Sequence, residues 1–144
     1  MSVATRRALY GKLAGDSTLT NQLGTPAPGR THGIYYQIAP ADAGFPYVIF
    51  QKQAGTPTYT FKAGHAAIDT EVWLIKGVAT TPGDPSDQAD TISSRLDALL
   101  TDGTVTISGA TQMYLRRESD VDYSEVNEGQ EYKHSGALFR LLYE

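Results

Sequence analysis

Apolar residues recur every three or four positions at Ala89, Ile92, Leu96 and Leu99, and Leu100 widens the stripe. That period predicts an amphipathic helix with one face turned to a core. Asp84 is placed to cap it and Pro85 to take its first helical position. Asp87 falls in the first turn, where the helix dipole favours a carboxylate. Asp102-Gly103 ends it. A second stripe lies near the N-terminus. Leu9 and Leu13 are four residues apart and Val3 falls near the same face, so a helix is expected from a Ser2 cap to about Ala14. A short helix should follow from an Asp16 cap through Leu19 and Leu23, with Gly24 as its stop.

Elsewhere the period changes to two. Ile34 to Ile38 is aromatic and β-branched and reads as a strand. Pro46 suits the mouth of another, Tyr47 to Gln53, because a ladder donor is lost there at little cost. Ile68 to Lys76 alternates, with Ile68, Thr70, Val72 and Leu74 on one face and Asp69, Glu71, Trp73 and Ile75 on the other. The second face starts polar and ends apolar, so a neighbouring subunit is expected to cover Trp73 and Ile75. Ala54 to Ala66, with Gly55, Pro57 and Gly64, is expected to be a long link. Its Tyr59 and Phe61 are candidate contacts with another molecule, against the plainer alternative of a disordered tip. Val105 to Ile107 is short and β-branched. Gln112 to Tyr123 and Glu131 to Tyr143 are extended runs joined by Ser124 to Gln130, the pattern of a β-hairpin. Leu138 to Tyr143 is almost continuously apolar, as an interior strand covered on both faces would be. The fold expected is α+β: one domain over residues 1–144, an antiparallel sheet with two main helices on one face, and a long C-terminal β-hairpin.

Composition narrows the function. At 144 residues the chain buries enough surface to fold without a metal or disulfide. It has no cysteine, which removes thiolate metal sites and disulfide chemistry. The net charge is −4 with both signs interspersed, so a basic nucleic-acid surface is not indicated. Met1 to Leu13 lacks the apolar core of a secretory leader, no run reaches the roughly 18 apolar residues of a membrane span, and no internal repeat is present.

Catalytic patterns are missing as well. His32, His65 and His134 are isolated, without a second ligand at metal-site spacing, and read as solvated or hydrogen-bonded side chains. There is neither a Gly-x-Ser-x-Gly elbow nor a phosphate-binding Gly-x4-Gly-Lys-Ser/Thr loop. Asp120 and Asp122 would stand about 7 Å apart on one strand face, with no apolar pocket to raise either pKa. Glu118, Asp120 and Asp122 are expected to share a face, either as an acidic row lining a lumen or as a surface for a basic partner. The plain alternative is a solvated hairpin whose charges discourage edge pairing. The expectation is a protein that is not an enzyme and takes no cofactor.

The order of elements resembles the tail terminator, or tail-completion, proteins of long-tailed bacteriophages. Leu19 to Gly24, Ile34-Tyr35, Pro46-Tyr47-Val48-Ile49, Val72-Trp73 and Ala89 to Leu100 carry the resemblance, which covers nearly the whole chain. It implies a structural role in the virion, after assembly in the host cytoplasm. A ring, expected to be a hexamer, would cap the tail tube and offer a surface to the head connector, with tail-tube and head-completion proteins as partners. Genomic DNA would pass through the lumen without sequence-specific binding, and no membrane is involved. The alternatives are a head-closure or head–tail adaptor, a tail-tube component and, last, a small enzyme.

Overall fold

The computed structural model describes residues 2–59 and 66–144. The chain runs α1 (Ser2–Ala14), α2 (Ser17–Thr20), β1 (Ile34–Tyr36), β2 (Tyr47–Tyr59), β3 (Ala66–Thr80), α3 (Pro85–Leu100), β4 (Gln112–Asn127) and β5 (Gln130–Tyr143). Five strands form one sheet in the order β1-β2-β3-β5-β4. Every pairing is antiparallel except β1 with β2, which is parallel, so the sheet is mixed rather than wholly antiparallel.

α3 forms where the apolar period places it. Asp84 accepts a hydrogen bond from the Asp87 backbone N–H at 3.1 Å, and Pro85 opens the first turn. Pro85, Ala89, Ile92, Leu96 and Leu100 are buried. The helix sits low on the sheet because β3 carries glycine beneath it. A Cβ at Gly77 would stand 2.7 Å from Ile92 Cγ2, too close for any side chain. On α1 the buried stripe is Thr5, Leu9 and Leu13, while Val3 is 50% exposed and lies off it. α2 ends at Thr20, before Leu23 and Gly24. Gly24 serves close approach instead: its N–H donates to Pro46 O at 2.8 Å, and a Cβ there would collide with the Phe45 carbonyl.

Both main helices cover the same face of the sheet. Leu9, Leu13, Phe50, Trp73, Ile75, Ile92, Leu96, Phe139 and Leu141 close into the main core there. A smaller core of Ala27, Tyr35, Ile49 and Val78 lies across part of the opposite face, under the chain around residues 39–47. The rest of that face stays half open. β5 is an interior strand, as its composition suggests, but only its helix side is sealed: Phe139, Leu141 and Tyr143 are buried while Leu138, Arg140 and Leu142 are partly exposed.

Candidate functional site

Three surfaces stand out: an arm made by β2 and β3, and the two outer edges of the sheet.

The expected link from Ala54 to Ala66 is largely strand. β2 continues to Tyr59 and β3 begins at Ala66. The last rung shared by β3 and β5 is Asp69 with Tyr143, whereas β2 and β3 go on pairing through Thr58 with Ile68 and Tyr59 with Ala66. A two-stranded arm therefore overhangs the sheet. Pro57 is tolerated because β2 is an edge strand here, beyond the short reach of β1. Tyr59 is 64% exposed on the arm. Phe61 and His65 lie outside the described residues.

A buried carboxylate fixes the base of this arm. Glu71 is only 3% exposed. Its Oε1 accepts from Trp73 Nε1 at 2.9 Å and its Oε2 from the Tyr143 hydroxyl at 2.5 Å. Lys52 Nζ approaches Oε2 at 3.6 Å, its side chain lying over the bare Cα of Gly55. β2, β3 and β5 thus meet on one side chain. Burial and the adjacent carboxylate push the Tyr143 phenol well above its usual range, so it stays a donor at any physiological pH. A cleft of about 240 Å³ opens beside this group, between Lys52, Thr56, Asp69 and Tyr143. Sequence reasoning missed Glu71 as a site residue. The available signal was its parity: it shares a strand face with Trp73 and Ile75, and a carboxylate on a face that packs inward needs hydrogen-bond partners.

Two expectations about site residues are corrected. Trp73 and Ile75 are not left for a neighbour, since both are fully buried in the chain's own core. The half-open face of β3 is the other one, with Val72 and Leu74. The second correction concerns Glu118, Asp120 and Asp122, which do not form one row. A register shift between Arg117 and Ser119 puts a bulge at Glu118, and a bulge breaks the alternation of sides. Glu118 pairs with Arg140 on the open face. Asp120 pairs with Arg117 and Asp122 with Lys133, on the helix side. Each carboxylate has its own cation, so none is a bare charge. Asp122 in turn holds the Lys133 ammonium protonated above the ordinary lysine range.

His134 is buried, stacked 4.3 Å from the Tyr123 ring, with Nε2 2.6 Å from Glu125 Oε1. Burial, more than any partner, lowers its pKa. The Tyr123 hydroxyl oxygen also accepts a hydrogen bond from Lys76 Nζ at 2.7 Å. His32 lies apart from this group, partly exposed in the chain before β1. Among the described residues no cluster of three His, Cys, Asp or Glu side chains could hold a metal. No described helix is long and apolar enough to cross a membrane.

At the opposite edge, α1 and β1 enclose an arginine-lined groove of about 210 Å³, with Arg6, Arg7 and Arg30 around Tyr10 and Tyr36. The Arg6 guanidinium lies over the Tyr36 ring, 4.9 Å from its centre.

Among the described residues these groups are structural anchors and exposed surface, and they assemble no reaction centre. The fold matches a chain of the native gene transfer agent virion particle, with a TM-score of 0.61, 14% identity, and coverage of 96% of this chain and 92% of that one. A second solved chain matches with a TM-score of 0.58 at 16% identity, covering 99% and 95% of the two chains. No curated protein sequence matches. The family model for tail completion protein gp17 matches residues 7–143, nearly the full length. The chain therefore belongs to the tail completion protein gp17 family and is a structural, non-enzymatic component of the phage tail, located in the virion.

Proposed function

We propose that this protein terminates the tail by forming a closed ring, six subunits around, that caps the tail tube and presents its far side to the head connector. Genomic DNA passes through the ring without sequence-specific contact. The observation that carries this reading is the projecting arm. A two-stranded ribbon with an exposed tyrosine overhangs the sheet, and its base is locked by a buried carboxylate. A rigidly rooted ribbon is suited to reach a neighbouring molecule, and exposed aromatics of this kind are enriched at interface centres. Tyr59, with Phe61 beyond it in sequence, is the proposed contact with the tube.

The half-open face supports assembly further. Val72, Leu74, Leu138 and Leu142 are only partly covered within one chain, around the Arg140–Glu118 ion pair, and apolar surface grouped beside polar residues marks interaction sites. Removing the protein from an infection tests the reading. Tails should then lack a fixed end, grow to irregular length and fail to join heads. Tails of normal length joined to heads would refute it.

A further inference from the structure

We infer that the arginine groove between α1 and β1 is the socket for the β4–β5 hairpin tip of a second copy of this chain. This rests on the ring reading above and adds the residues that make the junction.

The groove is chemically incomplete in one chain. Arg6, Arg7 and Arg30 gather around Tyr10 and Tyr36. Among the described residues, none of the three arginines takes part in an ion pair. The other four arginines all do: Arg95 with Asp16, Arg116 with Asp102, Arg117 with Asp97, Arg140 with Glu118. Exposed apolar side chains border the same edge, with Val3 on α1 at 50% exposure and Ile38 just past β1 at 78%. The surface thus asks for a ligand that is anionic and carries an apolar anchor.

The hairpin tip has that composition. It reads Glu125-Val126-Asn127-Glu128-Gly129-Gln130-Glu131. Val126 is 72% exposed. Glu128 and Glu131 form no ion pair among the described residues, and Glu125 meets only His134, whose lowered pKa leaves the pair's negative charge in place at neutral pH. Glu128 and Gly129 both have positive φ, 53° and 79°, which makes a tight two-residue turn. The last rung shared with β3 is Thr80 with Tyr132, and Thr80 and Thr81 still hold Glu131 and Gln130 by hydrogen bonds, so residues 126–129 overhang the sheet as a blunt acidic prong with Glu131 at its base.

Topology prevents a chain from filling its own socket. β1 and β4 are the outermost strands, four strand spacings apart, about 19 Å at the usual spacing. In a head-to-tail ring the β4 edge of one copy faces the β1 edge of the next, and such contacts close when the rotation allows. Three arginines then meet three glutamates at each junction, Val126 seats among the aromatic rings, and the arginines lose solvent to charge-assisted hydrogen bonds.

The absence of native cysteine gives a clean test. Arg30→Cys and Glu128→Cys are introduced together, and assembled tails are oxidised. A ladder of covalent oligomers ending at the closed ring is expected, and neither single variant should give it. In parallel, E125K/E128K should weaken self-association about tenfold or more at low salt, and adding R6E/R30E should restore it. If mass measurement shows an oligomer but the cysteine pair gives no ladder and the charge swap no rescue, this junction is wrong while the ring stands. Cross-linking to a different tail or head protein would equally overturn it, because the groove would then serve a foreign acidic segment. A single copy per assembled tail would defeat the ring reading itself and the junction with it.

Discussion

The Tyr143 hydroxyl donates to the Glu71 carboxylate across 72 positions of sequence, 2.5 Å apart at the root of the arm. The second oxygen of the same carboxylate holds the Trp73 indole N–H. Replacing Glu71 with alanine strands two buried donors. The expected loss is about 3 kcal/mol of stability, against about 1 kcal/mol for Tyr143→Phe, which removes only one donor. Urea denaturation followed by Trp73 fluorescence measures both. Equal effects of the two changes would show that Glu71 is not the common anchor.

The arm and the fold should separate cleanly. Tyr59 is largely exposed and lies beyond the last β3–β5 rung. Tyr59→Ala should shift the urea midpoint little, since surface changes away from special features stay within about 0.5 kcal/mol. The same change should weaken docking onto tail tubes in a co-sedimentation assay. Wild-type docking by the folded variant would remove the arm from the tube contact.

His134 makes stability depend on pH in one direction. Burial lowers its pKa from the ordinary 6.5, so between the two values the unfolded chain binds more protons than the folded one. Stability should therefore fall as pH drops below about 6.5 and level off below the folded pKa. His134→Gln should flatten the part of this decline between pH 7.5 and 5. An unchanged slope in that variant would show that other groups carry it.

Asp16 ties the short α2 to α3. It caps α2 by accepting from Leu19 N at 2.9 Å and takes two hydrogen bonds from Arg95, at 2.7 and 2.6 Å. The Arg95 bond, above all, holds its carboxyl below the ordinary 3.8. Its stabilisation is thus complete above that value and lost as pH falls through the lower folded one. Asp16→Ala should cost about 1 kcal/mol for the cap alone. Asp16→Asn keeps a capping oxygen and should lose less, with a weaker acid dependence in thermal melts.

Legibility followed how local each signal was. α3 was readable because Asp84, Pro85 and the stripe from Ala89 to Leu100 all act within one helix. The C-terminal hairpin was readable from two long runs around Asn127 and Gly129. The arm was not, because Gly55 and Pro57 read as loop residues, and only the edge position of β2 makes them harmless in a strand. The bulge at Glu118 leaves no mark in the sequence, so a period of two puts the carboxylates on one face where the pairing divides them. The side of β3 that Trp73 occupies depends on where α1 and α3 pack, which no pattern within β3 specifies. The arginine groove was also hidden, since Arg6, Arg7 and Arg30 come together only when α1 lies beside β1.

A reconstruction of the intact particle, made without imposed symmetry at the head–tail joint, decides whether this chain closes the tail as a ring. One closed ring of six copies is expected on the last ring of tube protein, with the β2–β3 arm directed at the tube and the hairpin tip of each copy on the β1 edge of the next. Density for this chain inside the tube wall, on the head side of another terminator, or as an isolated copy would contradict it.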